Sequence, residues 1–108
     1  MESAPTNLLF ITTDQQRFDS LPCYGLDFMQ TPNLDRLAAE GVVFERCYTP
    51  APVCVPCRAA WMSGQWPSTT GVLSNGQWLD ESTPTWPVLM SAAGFRTAAI
   101  GKMHFMPW

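Results

Sequence analysis

With 108 residues, 46% of them hydrophobic and 14% charged, the chain is suited to form at most one globular domain, and this composition excludes an intrinsically disordered protein. A net charge of −3 without any cluster of Lys or Arg excludes a nucleic-acid surface, so any bound anion must be held by a local site. Because the first apolar run, residues 8–11, is too short for a secretory signal or a membrane span, we expect a cytoplasmic protein with no membrane partner and with its four cysteines reduced.

The first half of the chain alternates between strand-like and helix-like patterns, which indicates an α/β fold. Residues 7–12 form a continuous apolar run typical of a buried parallel strand, and the run ends in polar residues that include Asp14, where open α/β sheets place their ligands. Residues 31–41 carry a Thr cap, a Pro in the first turn and a terminal Gly, and they predict a helix. Residues 42–48 then predict a second strand.

The second half of the chain is rich in proline and predicts shorter elements. A loop leads to a short helix at about 56–63. Gly, Ser, Asn, Asp and Thr dominate residues 65–84, which predicts a long loop with a tight turn at Asn75-Gly76. A last helix is predicted at about 84–93.

Residues 54–64 are the first of two segments that indicate chemistry. Pro56 is suited to the first turn of a helix, so Cys54 is expected at the mouth of that helix. Arg58 follows four residues after Cys54, and its guanidinium can therefore fold back along one helix face toward it. Backbone N–H groups at the same helix end favour an anion such as sulfate or phosphate.

Residues 94–104 are the second such segment. An apolar strand at 97–100 leads into a loop that carries Lys102 and His104. Strand alternation would place these two side chains on the same side, where a cation and a proton donor can hold an oxyanion and protonate its leaving group.

Together with Asp14-Gln15, these two segments resemble the signature segments of the sulfatase family. The resemblance implies an α/β fold, a partial alkaline phosphatase-like sandwich with a mostly parallel central sheet flanked by helices, of which residues 1–108 would be an incomplete N-terminal portion of the catalytic domain. It also implies a sulfuric ester hydrolase whose substrate is a small-molecule sulfate ester. The position that matches Cys54 would be oxidised to formylglycine by a formylglycine-generating enzyme, and the hydrated aldehyde would be the nucleophile.

The resemblance also implies a role for each matching residue. Cys54 and Arg58 would be catalytic, with Arg58 holding the aldehyde hydrate. Lys102 and His104 would be catalytic and would also bind the sulfate.

A divalent metal is implied as the cofactor, with Asp14, Gln15 and Cys54 as its ligands. Hard oxygen donors suit Ca²⁺, with Mg²⁺ or Mn²⁺ as alternatives. The Asp-Gln pair also occurs in choline sulfatases and in phosphonate monoester hydrolases of the same superfamily. A phosphonate monoester or phosphodiester hydrolase is therefore an alternative function.

Two departures from the family pattern leave other interpretations open. Cys57 stands where the family usually has Ser, and Cys54 and Cys57 form a CxxC that elsewhere marks a redox pair or half a zinc site, although Cys23 and Cys47 are irregularly spaced for zinc. Family members are several hundred residues long, and their second metal pair lies far downstream. We therefore expect a fragment with little or no activity and a tendency to self-associate through open sheet edges, or a non-catalytic remnant.

Overall fold

The computed structural model describes residues 6–105 and divides the chain into two compact units, Met1–Arg46 and Cys47–Trp108. The parts of the predicted domain at 1–5 and 106–108 lie outside the described residues.

The described residues contain four α-helices, which are α1 (Pro32–Glu40), α2 (Cys54–Ser63), α3 (Pro67–Thr70) and α4 (Trp86–Ala92). Two short 3₁₀ turns precede them, Phe18–Ser20 and Pro22–Tyr24. In this part of the chain, no helix has both the length and the apolar character needed to cross a membrane.

In the first unit, the structure confirms the predicted helix α1. Pro32 opens the helix, and the N–H of Gly41 closes it on the carbonyl of Leu37 at 2.9 Å. The Thr31 side chain does not cap the backbone as predicted. Its hydroxyl instead donates to the Asp35 carboxylate at 3.3 Å, because an ionised carboxylate is a strong hydrogen-bond acceptor.

Polar contacts hold the rest of the first unit together. Arg17 and Asp19 form a two-pronged ion pair at 2.9 and 2.6 Å, and the hydrogen bond from Arg17 lowers the pKa of the Asp19 carboxyl. The Tyr24 hydroxyl donates to the carbonyl of Phe44 at 3.1 Å. None of the described residues of this unit is buried, so its helix and turns have no apolar core of their own.

The second unit contains the buried core, which is built on α2. Val55 and Ala59 on this helix and Val72 after α3 form the buried cluster, and Leu79 packs against it. α2 also contacts α3 and α4. These contacts fix the position of the helical turn that begins at Cys54.

The predicted boundaries in the second unit need three corrections. The helix expected at 56–63 begins two residues earlier, at Cys54, because the backbone of Val53 already serves as the N-cap. The predicted loop contains the single turn α3, which sequence reasoning missed because Ser and Thr are weak helix formers. α4 is shorter than the predicted 84–93.

The predicted parallel sheet is not confirmed, because the described residues contain no strand. The three segments expected as strands, 7–12, 42–48 and 97–100, are extended or turning chain without ladder partners. Their apolar side chains are exposed, as Ile11 at 72% and Ile100 at 97% show. A strand exists only through hydrogen bonds to a neighbouring strand, and an apolar pattern alone does not supply that neighbour.

The core cluster predicts a strong effect of shortening Val72. We expect Val72→Ala to lower the free energy of unfolding by about 2 kcal/mol, since it removes fully buried methyl groups and leaves a cavity. Val88→Ala on the exposed face of α4 is the control and should change stability by less than about 0.5 kcal/mol. Urea titration measures both values, and equal effects would show that the core is not where the structure places it.

Candidate active site

The second unit brings two of the predicted site residues into contact. Cys54 is the first residue of α2 and is partly buried. The ammonium group of Lys102, 48 residues away in sequence, donates to its sulfur atom at 3.6 Å. A cation therefore lies beside the group that the sequence pattern marks as the nucleophile precursor.

Arg58 is buried, with 9% of its surface exposed, and it holds the loop that carries Lys102. Its Nη1 atom donates to the carbonyl of Lys102 at 2.6 Å, and its guanidinium lies 5.9 Å from the ring centre of Trp61. The prediction had Arg58 folding back toward Cys54. In the structure Arg58 bonds to the main chain of Lys102, so Arg58 influences the site by fixing the backbone from which the Lys102 side chain extends.

His104 is half-buried, and its backbone adopts a left-handed conformation with φ of 53°. The segment also turns at Gly101, whose φ is 95°, so it is not the regular strand that was expected to align Lys102 with His104. The N–H of Leu79 donates to the carbonyl of Phe105 at 3.4 Å. The loop that carries Lys102 and His104 is thus held at both ends, by Arg58 and by Leu79.

Only two described residues other than glycine have a positive φ, and both are predicted site residues. They are Gln15, at 55°, and His104, at 53°. This conformation is unfavourable for residues with a Cβ atom, and it persists where surrounding structure imposes it. The strain supports a role for these two positions that goes beyond connecting neighbouring segments.

The predicted metal ligands Asp14 and Gln15 lie in the first unit and are exposed. A carboxylate next to an amide oxygen is a donor pair that fits a hard cation such as Ca²⁺. Among the described residues, no cluster of three or more His, Cys, Asp or Glu side chains could hold a metal ion. The four-cysteine zinc site considered from the sequence is therefore not formed in this part of the chain.

Cys57, which stands where the family pattern usually has Ser, makes a hydrogen bond with a neighbouring side chain. It is 7% exposed, and its sulfur lies 2.9 Å from the hydroxyl of Thr49. That hydroxyl donates to the carbonyl of Ala51 at 2.7 Å. Because a hydroxyl has one proton, the Cys57 thiol is the donor to Thr49, as a serine hydroxyl would be. Sequence reasoning missed Thr49, for which no local signal existed.

The start of α2 offers fewer backbone donors than the sequence suggested. Pro56 has no N–H, and the N–H of Val55 donates to the side chain of Asn75 at 3.1 Å. The N–H of Val55 is therefore already used, and the positive charge near Cys54 comes from a side chain, Lys102, in addition to the helix end.

Comparison with known proteins identifies the family. A match to the sulfatase family covers residues 6–108. The chain is 35% identical to the N-acetylglucosamine-6-O-sulfatase of Bacteroides thetaiotaomicron over 97% of its length, and 40% identical to the choline-sulfatase of Rhizobium meliloti over 98%. It covers 19% and 21% of those proteins, so it spans about a fifth of the length of the curated relatives it matches.

Solved structures agree with the sequence matches. The candidate sulfatase yidJ of Bacteroides fragilis superposes with a TM-score of 0.81 at 31% identity, over 87% of this chain and 22% of that one. The structure of BT1596, a 2-O GAG sulfatase, gives a TM-score of 0.73 at 35% identity, over 81% and 20%. These neighbours have the alkaline phosphatase-like fold of sulfatases. The chain belongs to the sulfatase family.

The contact between Arg58 and the Lys102 carbonyl predicts that Arg58→Ala loosens the loop. Loss of a charged donor to a main-chain carbonyl should destabilise the second unit by about 2 kcal/mol. The Leu79 amide, which donates to the far end of the loop, should then exchange its hydrogen about tenfold faster. Hydrogen exchange followed by NMR measures this rate. Arg96→Ala, at an exposed position, should leave it unchanged, and an unchanged rate in Arg58→Ala would contradict the anchoring role.

Proposed function

We propose that this chain carries the nucleophile-bearing part of the active site of a sulfuric ester hydrolase, with Cys54 as the precursor of formylglycine. The observation that carries the proposal is the contact of 3.6 Å between Lys102 and the sulfur of Cys54. It joins the two signature segments that sequence analysis had paired only by resemblance. The family match over residues 6–108 supports the same assignment.

Each side chain at this site has a proposed task. Formylglycine at position 54 would supply an oxygen nucleophile. Lys102 provides positive charge next to that position, where the oxygens of a sulfate group gain charge. Arg58 keeps Lys102 in place through its carbonyl. His104, on the same held loop, is proposed to protonate the leaving alcohol.

A divalent metal, with Ca²⁺ as the best fit, is proposed to bind Asp14 and Gln15. The oxygen donors of Asp14 and Gln15 fit this class of ion. The strained backbone of Gln15 supports a role for this position beyond connecting its neighbours. When bound, the metal would supply positive charge that neutralises the anionic oxygens of the substrate.

The proposed substrate is a small-molecule sulfate ester, and the proposed partner is a formylglycine-generating enzyme. The names of the relatives include an N-acetylglucosamine-6-O-sulfatase, a choline-sulfatase and a steryl-sulfatase, which differ in the alcohol they release. What these names share is the sulfate ester. The segment that this chain shares with them is therefore proposed to act on the sulfate group and not to select the alcohol.

We further propose that the extended apolar segments 7–12 and 97–100 are strands of a mostly parallel sheet in a complete sulfatase domain. Their exposed side chains support this assignment, since Ile11 is 72% and Ile100 97% exposed. Such segments would also promote self-association of the chain when it is studied alone.

Conversion of Cys54 is the direct test of the proposal. When the chain is co-expressed with a formylglycine-generating enzyme, the peptide that contains Cys54 should lose about 18 Da, because the thiol side chain becomes an aldehyde. Peptide mass spectrometry measures the loss. Cys54→Ala should show no change, whereas Cys57→Ser, which restores the usual family residue, should be converted.

An unmodified Cys54, under conditions that convert a control sulfatase and the Cys57→Ser variant, would contradict the proposal for this sequence. The phosphonate alternative is tested with a protein that joins this chain to the rest of a sulfatase domain. Faster turnover of a phosphonate monoester than of an aryl sulfate by that protein would favour the alternative.

A further inference from the structure

The start of α2 is capped by a side chain that lies far away in sequence. The N-cap residue Val53 has no side-chain acceptor, and no side-chain cap bond is formed there. The N–H of Val55, which no intrahelical carbonyl can accept, donates instead to Oδ1 of Asn75 at 3.1 Å. Asn75, 20 residues further along the chain, thus accepts the kind of hydrogen bond that a Ser, Thr or Asp at the N-cap usually accepts.

Asn75 is held in place by its own turn. Gly76 adopts a left-handed conformation with φ of 93°, which a glycine tolerates without cost. The side chain of Gln77 then folds back and accepts hydrogen bonds from the N–H groups of Leu73, at 2.6 Å, and Ser74, at 2.8 Å. These hydrogen bonds close the turn that carries Asn75.

The turn is also anchored to the same helix that it caps. Val72, which enters the turn, is fully buried against Val55 and Ala59 on α2. The apolar contact and the hydrogen bond therefore act on one helical turn, from two neighbouring points of one loop. Two independent contacts, one apolar and one a hydrogen bond, therefore hold this turn against the start of α2.

We propose that Asn75 is a positioning residue for Cys54, acting through the backbone of the first turn of α2. Pro56 has no N–H, and the N–H of Cys57 already bonds to the carbonyl of Val53 at 3.1 Å. Asn75 therefore accepts from the N–H immediately after Cys54, and its bond stops this end of the helix from fraying. Fraying would move the sulfur of Cys54 away from the ammonium group of Lys102. The importance of this for catalysis rests on the proposed function, whereas the capping itself does not.

The test compares three variants with the unmodified chain. Asn75→Ala removes the acceptor, Asn75→Asp keeps an oxygen at the same position, and Asn33→Ala replaces an exposed asparagine of α1 as the matched control. Two quantities are measured, hydrogen exchange at the Val55 amide by NMR and alkylation of each cysteine by iodoacetamide with peptide mass spectrometry. Neither requires sulfatase activity, so failure of the proposed function would not be mistaken for failure of this proposal.

The proposal predicts a local effect. In Asn75→Ala, both exchange at Val55 and alkylation of Cys54 should rise about fivefold, the factor expected for loss of a helix cap. Alkylation of the buried Cys57 should stay slow, because the rest of the helix remains packed. Asn75→Asp should keep the slow rates, since a carboxylate oxygen can still accept from Val55, and Asn33→Ala should match the unmodified chain.

Several results would overturn the proposal. Unchanged exchange at Val55 in Asn75→Ala would show that the cap has no effect, and parallel rises at Cys54 and Cys57 would show a general loss of structure in place of a positioning role. Should Asn75→Ala not fold, the unmodified chain decides the question. Its Val55 amide must exchange at least about tenfold more slowly than an open amide, and exchange at the open rate would refute the cap.

Discussion

Burial of one face of α2 against Val72 is the constraint on which the structure of the second unit depends. Val55 and Ala59 lose nearly all contact with solvent there, and the cluster they form with Val72 is the buried apolar core of the second unit. The residue that precedes this face in the chain is Cys54. Packing that stabilises the helix therefore also sets the place of the residue on which the proposed chemistry depends, so stability and site geometry share one set of contacts.

A second long-range contact connects this helix to the loop that carries the cation. A buried guanidinium is costly unless its donors are paired, and Arg58 pairs one of them with the carbonyl of Lys102. The same bond fixes the origin of the Lys102 side chain, which reaches back to Cys54. Arginine suits this position because its planar group can bond to a carbonyl while it lies near the ring of Trp61. The helix and the loop thus position each other.

Some features of the fold depend on signals close together in sequence and others on contacts between distant residues, and this difference explains which parts could be predicted. The helix at 31–41 was evident because its proline and glycine signals act within the helix itself. The segments 7–12 and 97–100 have the composition of strands. A strand forms only by pairing with a neighbouring strand, and composition does not show which segment that is. This chain spans about a fifth of the length of its sulfatase relatives, and the apolar side chains of these segments, such as Ile11 and Ile100, are exposed.

The sequence by itself determined the family and indicated the candidate site residues, because the signature segments around Cys54 and Lys102 are local patterns of residue type and spacing. Only the tertiary structure decided how they are held. The partner of Arg58, the cap that Asn75 supplies and the thiol contact of Cys57 each depend on the path of the backbone. The first two join residues 44 and 20 positions apart. A hydrogen bond is set by distance and direction in space, and residue spacing specifies neither once the chain has turned through an intervening loop.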